Sequence, residues 1–354
     1  MRFERMQLAG YEIQGVLGQG GFATVYRARQ PAVGREVALK VDSRVLDSPR
    51  DRQRFMREVT AAGQLSGHPH VVPVYDAGVF GDNRPYMVLE LCPGGSLGDR
   101  LHHQGPLSVK EARDIGVGIA DAVAAAHTAG VLHRDIKPGN ILINRYGGVA
   151  LADFGLAAMP RPDRELSVTR EALTPAYAPP EAFHLAEPTP AGDVYSLAAT
   201  VYALLRGRPP HFPEDGTQLS LPELIVRHTW PYPDLPGVPT ALNEVLGRAL
   251  VADPARRLSD AGALRDALAA VDVDSADRAG FGPVPGGRTT TVSARRDTTP
   301  PPEPGRPGTT TAPAPQDRQK STRRPQLIVA VAAVTRCVAH ADTDDGEITD
   351  SHFG

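Results

Sequence analysis

The chain has 354 residues, of which 41 % are hydrophobic and 22 % charged, a composition typical of soluble globular proteins. Its formal net charge of −3 indicates neither a nucleic-acid partner nor a generally acidic one. The two cysteines, Cys92 and Cys337, exclude a disulfide framework and fit a reducing compartment. The N-terminal residues contain no apolar run of signal-peptide length, so we expect a cytoplasmic location.

The composition changes near residue 272, and this change divides the chain. Residues 11–271 alternate periodic apolar segments with short turns, as a packed domain does. Residues 272–325 are rich in Pro, Thr, Gly and Arg, and their few apolar side chains cannot offset the entropy of ordering them. We therefore predict a disordered linker there, followed by a short apolar patch and an acidic C-terminal tail in residues 326–354.

The first part of the predicted domain is rich in strand patterns. Runs typical of β-strands, separated by turn residues, occupy 11–17, 23–30, 35–41, 71–79 and 85–91. One helix interrupts them, with an apolar face formed by Phe55, Val59, Ala62 and Leu65.

From Pro93 onward the pattern becomes helical. Ser108 and Glu111 have the spacing of a capping box, and an apolar stripe follows at Ile115, Ile119, Val123 and Ala126. A later helix begins near Asp193 and stops at Gly207. A small β lobe joined to a larger helical lobe is an α+β fold, and such a fold predicts a cleft between the lobes.

The glycine-rich run GQGGFATV, residues 18–25, is the first candidate for ligand binding, because glycines let backbone N–H groups approach phosphate oxygens. By itself this run is weak evidence for phosphate binding, because Gly18, Gly20 and Ala23 also match the dinucleotide-binding fingerprint. Asp42 lies near the position at which that fingerprint has an acidic residue that binds the ribose. A dinucleotide loop opens a helix, whereas residues 23–29 alternate like a strand. A Walker loop needs a terminal GK[ST], which is absent, and a plain hairpin turn remains an alternative.

Two charged residues downstream make a more specific proposal. Lys40 lies near the end of the third predicted strand, and Glu58 lies on the helix that follows. Each by itself is typical of a solvated surface. Together they predict an ion pair that directs the lysine ammonium group toward phosphates bound by the glycine-rich loop.

The second half of the domain adds HRDIKPGN at residues 133–140 and DFG at residues 153–155. Either tripeptide alone could arise by chance in a loop, but both follow the earlier motifs in a set order. With this set the chain resembles the eukaryotic-type (Hanks-type) serine/threonine protein kinases, particularly those of bacteria, over residues 11–270. The resemblance implies the two-lobed protein kinase fold. It also implies ATP and Mg²⁺ as cofactors, and serine or threonine hydroxyls of proteins, including this one, as phosphate acceptors.

The resemblance also implies roles for single residues. Asp135 would accept the proton of the substrate hydroxyl, Lys137 would neutralise the γ-phosphate, and Lys40 with Glu58 would orient the other phosphates. Asn140 and Asp153 would supply oxygen ligands to Mg²⁺. The nucleotide would contact Leu17, Gly18, Gly20, Val25, Ala38, Lys40, Glu90, Cys92 and Leu142, with Leu89 at the back of the pocket. Cys92 is equally interpreted as a small buried hydrophobic residue.

Control and substrate positioning follow by the same resemblance. A phosphate on Thr169, or on Ser167, would pair with Arg134 and order the segment before Thr174. Thr174 itself would position the substrate. Glu181 is expected to pair with Arg257, and Asp193 is expected to brace the catalytic loop, residues 133–140. The chain departs from the family pattern at Leu173, where a glycine is usual, and at Pro179, where an alanine is usual.

Two other interpretations of the sequence remain open. A pseudokinase scaffold is the first, although such proteins generally lose a lysine or aspartate that this chain keeps. A membrane-anchored receptor is the second, on the strength of the apolar run 327–334. That run is too short for a span of about 20 residues, and Arg336 and His340 interrupt its continuation, so we expect that it does not span a membrane. It is interpreted as a truncated or altered anchor or as a short apolar patch. A dimer through the kinase domain is compatible with the resemblance.

Overall fold

The computed structural model of this chain describes residues 8–20, 23–154, 175–213, 217 and 219–273. Its first lobe is built on a five-stranded antiparallel sheet with the strand order β1-β2-β3-β5-β4. The strands are β1 Glu12–Gln19, β2 Ala23–Gln30, β3 Arg35–Asp42, β4 Val74–Val79 and β5 Pro85–Glu90. All five predicted strand regions are therefore confirmed, with β4 beginning three residues later than predicted.

Helix α1, Pro49–Gln64, connects β3 to β4 and packs on the sheet. Its N-terminus is capped by Ser48, whose hydroxyl accepts a hydrogen bond from the Asp51 N–H at 3.1 Å. Phe55, Val59 and Ala62 are buried, so the predicted apolar face is the one that meets the lobe.

The second lobe is helical apart from a small hairpin, and this confirms the predicted α+β, two-lobed arrangement. Its helices are α2 Leu97–Gln104, α3 Val109–Thr128, α4 Pro190–Arg206, α5 Leu221–Arg227, α6 Thr240–Ala249 and α7 Ala261–Ala269. The hairpin consists of β6 Ile141–Ile143 and β7 Val149–Leu151. Short 3₁₀ turns lie at Pro138–Asn140, Pro180–His184 and Pro254–Arg256 in this lobe, and at Pro31–Val33 between β2 and β3 of the first lobe.

Two helix ends test the sequence patterns in detail. The Ser108 hydroxyl accepts from the Glu111 N–H at 3.2 Å, but the Glu111 carboxylate bonds Arg100 and does not return to Ser108. The predicted capping box is thus only half formed, because a guanidinium on α2 offers the carboxylate a charged partner. Helix α4 ends at Gly207 as predicted, and the φ of 88° at this residue is the left-handed conformation that glycine adopts readily.

The largest hydrophobic core lies between α3, α4 and α7. Helix α4 is apolar nearly all round, and its residues from Asp193 to Leu204 are buried. Val271 and Val273, after α7, belong to the same core and are 4 % and 2 % exposed. Within the described ranges, no helix is both long and apolar enough to cross a membrane.

Candidate active site

The loop between α3 and β6 is held in place by one buried carboxylate. Asp193, on α4, accepts hydrogen bonds from the backbone N–H groups of His133 and Arg134 at 2.8 and 2.7 Å. His127 Nε2, on α3, contacts the same carboxylate at 2.9 Å. Arg134 has a φ of 70°, an unfavourable conformation for a residue with a side chain, and these bonds stabilise it. The predicted brace of the loop by Asp193 is confirmed.

His133 connects this loop to the segment that follows β7. Its ring is fully buried, and Nδ1 accepts a hydrogen bond from the Asp135 N–H at 3.2 Å. The proton is therefore on Nε2, which donates to the Ala152 carbonyl at 2.8 Å. The Phe154 ring packs edge-on against His133, with centroids 4.8 Å apart. The buried His133 ring thus connects the loop before β6 to the residues after β7.

Two polar side chains of the loop converge on Asp135. Lys137 Nζ lies 2.7 Å from Asp135 Oδ2. Asn140 Nδ2 donates to the Asp135 carbonyl at 2.7 Å and to Oδ2 at 3.0 Å. Because Asn140 uses its amide nitrogen in this way, its amide oxygen is the atom left for a metal ion. The Ala152 N–H bonds the Asn140 carbonyl at 2.8 Å, so the residues after β7, Asp153 among them, run alongside this loop.

Lys40 and Asp153 form the ion pair that crosses between the lobes. Lys40 Nζ lies 2.6 Å from Asp153 Oδ1, and the two side chains are 16 % and 34 % exposed. Burial by itself would raise the pKa of Asp153, but the attraction of Lys40 outweighs it and the pKa lies below its usual value. Asp153 has a φ of 70°, so the chain turns sharply at this residue. Asp153 is therefore held as a carboxylate, the form that binds a cation.

The structure does not form the expected pair between Lys40 and Glu58. Glu58 Oε1 instead lies 3.4 Å from Arg54 Nε, one turn earlier on α1. Its other oxygen, Oε2, is buried and has no hydrogen-bond partner among the described residues. Burial raises the pKa of Glu58 above its usual value, although Arg54 and Arg134 act to lower it. The expectation is corrected because Asp153 takes the lysine, which leaves Glu58 to the nearest cation on its own helix.

The apolar side chains expected around a nucleotide base come together in one cluster. Ala38 and Leu89 are buried in it, and they are packed against by Leu17, Val25, Cys92 and Leu142. Burial, and secondarily Glu90, raises the pKa of the Cys92 thiol to about 12. Such a thiol is a poor nucleophile, which favours the interpretation of Cys92 as a small hydrophobic residue.

The glycine-rich run forms the connection between two paired strands. Gly18 lies opposite Val25 in the β1–β2 ladder, and the Gly20 N–H bonds the Ala23 carbonyl at 2.8 Å. Because strand β2 and not a helix follows the loop, the dinucleotide-binding alternative is excluded.

A family model for the protein kinase domain matches residues 11–269. The chain belongs to the protein kinase family. Within that family it is a member of the eukaryotic-type (Hanks-type) serine/threonine kinases of bacteria, as similar proteins indicate.

Three of these similar proteins are mycobacterial. Serine/threonine-protein kinase PknK of Mycobacterium tuberculosis is 41 % identical over 252 residues, which are 70 % of this chain and 22 % of that protein. PknE of the same species is 36 % identical over 280 residues, 77 % of this chain and 49 % of PknE. PknH of Mycobacterium bovis is 34 % identical over 271 residues, 75 % of this chain and 45 % of PknH. The match thus spans between about a fifth and a half of the length of these relatives.

The segment that follows residue 175 in this kinase domain is anchored by a buried ion pair. Arg257 NH1 and NH2 each lie 2.6 Å from an oxygen of Glu181, and the Arg257 side chain is fully buried. The predicted pair is confirmed. Pro179, one of the departures from the family pattern, precedes the 3₁₀ turn that carries Glu181. The expectations for Ser167, Thr169, Leu173 and Thr174 concern positions outside the described residues.

Two contributing residues were not found from the sequence. His127, on α3, contacts Asp193. Its position one helical turn after the buried Val123 could have indicated that its side chain faces the core. Arg54 holds Glu58, and the i,i+4 spacing of the two opposite charges could have indicated that contact.

Proposed function

We propose that this chain transfers the γ-phosphoryl group of Mg-ATP to serine or threonine hydroxyls of proteins, including hydroxyls in its own activation segment, the stretch between Gly155 and Thr174. The observation that carries the proposal is the cluster of Asp135, Lys137 and Asn140 next to the Lys40–Asp153 pair. These groups supply a base, two cations and oxygen ligands, the combination that phosphoryl transfer needs.

Asp135 is the proposed proton acceptor. Its carboxylate would take the proton of the substrate hydroxyl as that oxygen bonds to the γ-phosphorus and the bond from phosphorus to the β–γ bridging oxygen breaks, releasing ADP. Lys137 lies 2.7 Å from Asp135 and would stabilise the negative charge on the phosphoryl oxygens. Asn140 holds Asp135 in orientation through its amide N–H.

The oxygen donors of the site fit a magnesium ion. Asp153 is kept ionised by Lys40, and the Asn140 amide oxygen is not used in the bonds to Asp135. Hard oxygen ligands of this kind are those that Mg²⁺ prefers. Bound Mg-ATP supplies the transferred group and the cation that neutralises its oxygens.

We propose that Lys40 exchanges its ion pair with Asp153 for other contacts when the nucleotide binds. In the described arrangement it pairs with Asp153, so a phosphate or Glu58 has to replace that contact for Lys40 to orient the nucleotide. A rotation of α1 that brings Glu58 to Lys40 would also give the orphaned Glu58 Oε2 a partner. The apolar cluster around Ala38 and Leu142 would enclose the adenine ring, with backbone groups of Glu90 and Cys92 at its edge.

The test is a phosphorylation assay with labelled ATP, Mg²⁺ and a mixture of candidate proteins. Asp135→Asn should lower the rate by about 10²–10⁴-fold because it removes the proton acceptor. Asp153→Ala and Lys40→Met should abolish transfer, and chelation of Mg²⁺ should do the same. Asp82→Asn, at an exposed turn, is the matched control and should leave the rate unchanged. ATP binding with no transfer to any protein would instead support a nucleotide-binding scaffold.

We also propose control by phosphorylation at Thr169, with Ser167 as the alternative site. Arg134 supports the proposal, because its Nε is buried and has no hydrogen-bond partner in the part of the chain that the structure describes. A phosphate could pair with this guanidinium through two hydrogen bonds. Mass spectrometry should find phosphate at Thr169, and the Ser167→Ala, Thr169→Ala double variant should phosphorylate added substrates more slowly. Equal rates for the double variant and the wild type would contradict this control.

The organisation of the whole chain is proposed on composition. We infer a catalytic domain in residues 11–271, a linker in residues 272–325, in which Val273 is still buried in the domain core, and an apolar patch with an acidic tail in residues 326–354. A cytoplasmic location, protein substrates and a dimer through the kinase domain belong to the same proposal. Fractionation of cells and light scattering of the purified chain test the location and the oligomeric state.

A further inference from the structure

The outer surface of α1 carries a row of arginines, Arg50, Arg54 and Arg57. Their spacing of four and three residues places them on one side of the helix. The buried residues Phe55 and Val59 lie on the other side, against the sheet. Arg50 and Arg57 are exposed. We call this row the α1 arginine face.

The α1 arginine face has little compensating negative charge. Arg57 Nε contacts the Gln53 carbonyl at 3.4 Å, and within the described residues Arg50 has no carboxylate within salt-bridge distance. Asp51, on the same helix, is used at the N-terminus, where its carboxylate bonds the Ser48 hydroxyl at 2.6 Å. Among the residues that the structure describes, the single ion pair of the face is the one between Arg54 and Glu58. An anionic partner would therefore meet cations that are mostly unneutralised.

The chain itself contains a segment of opposite charge. Residues 342–350 read DTDDGEITD, with five acidic side chains and no lysine or arginine. We propose that this acidic segment docks on the α1 arginine face of the same molecule. The charges are complementary in sign and similarly dense, so that carboxylates can pair with neighbouring guanidinium groups.

The length of the intervening chain permits this contact. Residues 274–341 separate the acidic segment from Val273. If the predicted linker and the apolar patch that follows it together behave as a flexible chain, the end-to-end distance of residues 274–341 averages about 45 Å. A compact domain of this size has a radius of gyration of about 18 Å. The segment can thus reach α1 from the end of the domain.

The test measures binding of a fluorescent peptide of residues 341–350 to the full-length chain by anisotropy. A full-length variant with Asp342, Asp344, Asp345 and Asp350 changed to Asn, and Glu347 to Gln, leaves the arginine face open. This variant should bind the peptide about tenfold more tightly than wild type, in which the tethered segment competes at an effective concentration near millimolar. Binding should weaken as salt is raised, because exposed ion pairs are screened.

The arginine face is tested by Arg50→Gln with Arg57→Gln in the neutralised-tail background. Arg54 is left unchanged because it also contacts Glu58. The double change should weaken peptide binding about tenfold, since it removes two of the three cations that attract the carboxylates. The control is Arg248→Gln with Arg256→Gln, two exposed arginines of the helical lobe, which alters net charge equally.

Two results would overturn the proposal. One is equal peptide binding to wild type and to the neutralised-tail variant. The other is an equal loss of peptide binding in the Arg50→Gln, Arg57→Gln variant and in the Arg248→Gln, Arg256→Gln control. Neither readout depends on catalysis, so failure of the proposed kinase activity would be seen separately.

Discussion

Glu58 carries a buried carboxylate oxygen without a hydrogen-bond partner in the described ranges, and its other oxygen has one weak contact with Arg54. A buried, poorly paired charge lowers stability. The proposed chemistry nevertheless needs the negative charge at this position, to hold Lys40 toward the phosphates. At this residue, stability and activity therefore make opposite demands.

Glu58→Gln should raise the free energy of unfolding by about 1 kcal/mol at pH 7.5 while lowering kcat/KM for phosphorylation. Because the pKa of folded Glu58 is raised, wild type loses stability as pH rises through that pKa, and the glutamine variant does not. The advantage of the variant should thus shrink as pH falls to 5. Denaturant titrations at the two pH values measure it.

Glu36→Gln provides a control of opposite sign. The hydrogen bond from Arg27 lowers the pKa of Glu36, so its contribution to stability is present at neutral pH and lost as pH falls through the folded pKa. The glutamine variant should be slightly less stable at pH 7.5, and the difference should disappear in acid. Parallel behaviour of the two variants would contradict the interpretation of Glu58.

At the scale of the elements, the 3₁₀ turn Pro180–His184 is tied to the segment before α7 by the Glu181–Arg257 pair. The arginine side chain is fully buried and also donates to the Val251, Ala252 and Ala191 carbonyls. A guanidinium in such a position cannot turn to water when its carboxylate is removed.

Glu181→Gln should therefore lower the free energy of unfolding by about 3 kcal/mol, the usual cost of leaving one buried charge without its partner. Glu111→Gln removes an exposed carboxylate from the Arg100–Glu111 pair and should cost less than about 1 kcal/mol. Thermal unfolding of both variants beside wild type makes the comparison. Similar small shifts for both would mean that the buried pair contributes little.

At the scale of the whole molecule, two buried valines mark how far the packed domain extends along the chain. Val271 and Val273 follow the last helix and are buried in the large core of the helical lobe. The predicted boundary at residue 271 cuts between them, and the structure places the packed chain at least as far as Val273.

A chain that ends at Val273 should fold and phosphorylate protein substrates at the rate of the full-length chain. A chain that ends at Ala270 loses both buried valines and should be less stable by about 3 kcal/mol, from the apolar area returned to water. Melting temperatures of the two shortened chains test this. Equal stability would show that the valines contribute little to the core.

The sequence by itself determined the family, the two-lobed fold and the identities of the proposed catalytic residues. These depend on local information: residues 133–140 and 153–155 are contiguous motifs, and the strand and helix patterns are periodic over a few turns. The Glu181–Arg257 pair and the brace at Asp193 were predicted through the family resemblance, and both are present.

The tertiary structure alone decided which partner each charge takes. The sequence pattern allows Lys40 to pair with Glu58 and Glu111 to return to Ser108, whereas the structure pairs Lys40 with Asp153 and Glu111 with Arg100. The choice depends on how α1 is placed against the sheet and how α2 is placed against α3, and no local sequence pattern records that placement. The tertiary structure also decided which charged groups are buried. Glu58 has the sequence context of a surface acid, and its carboxylate is buried only because α1 packs against the rest of the domain.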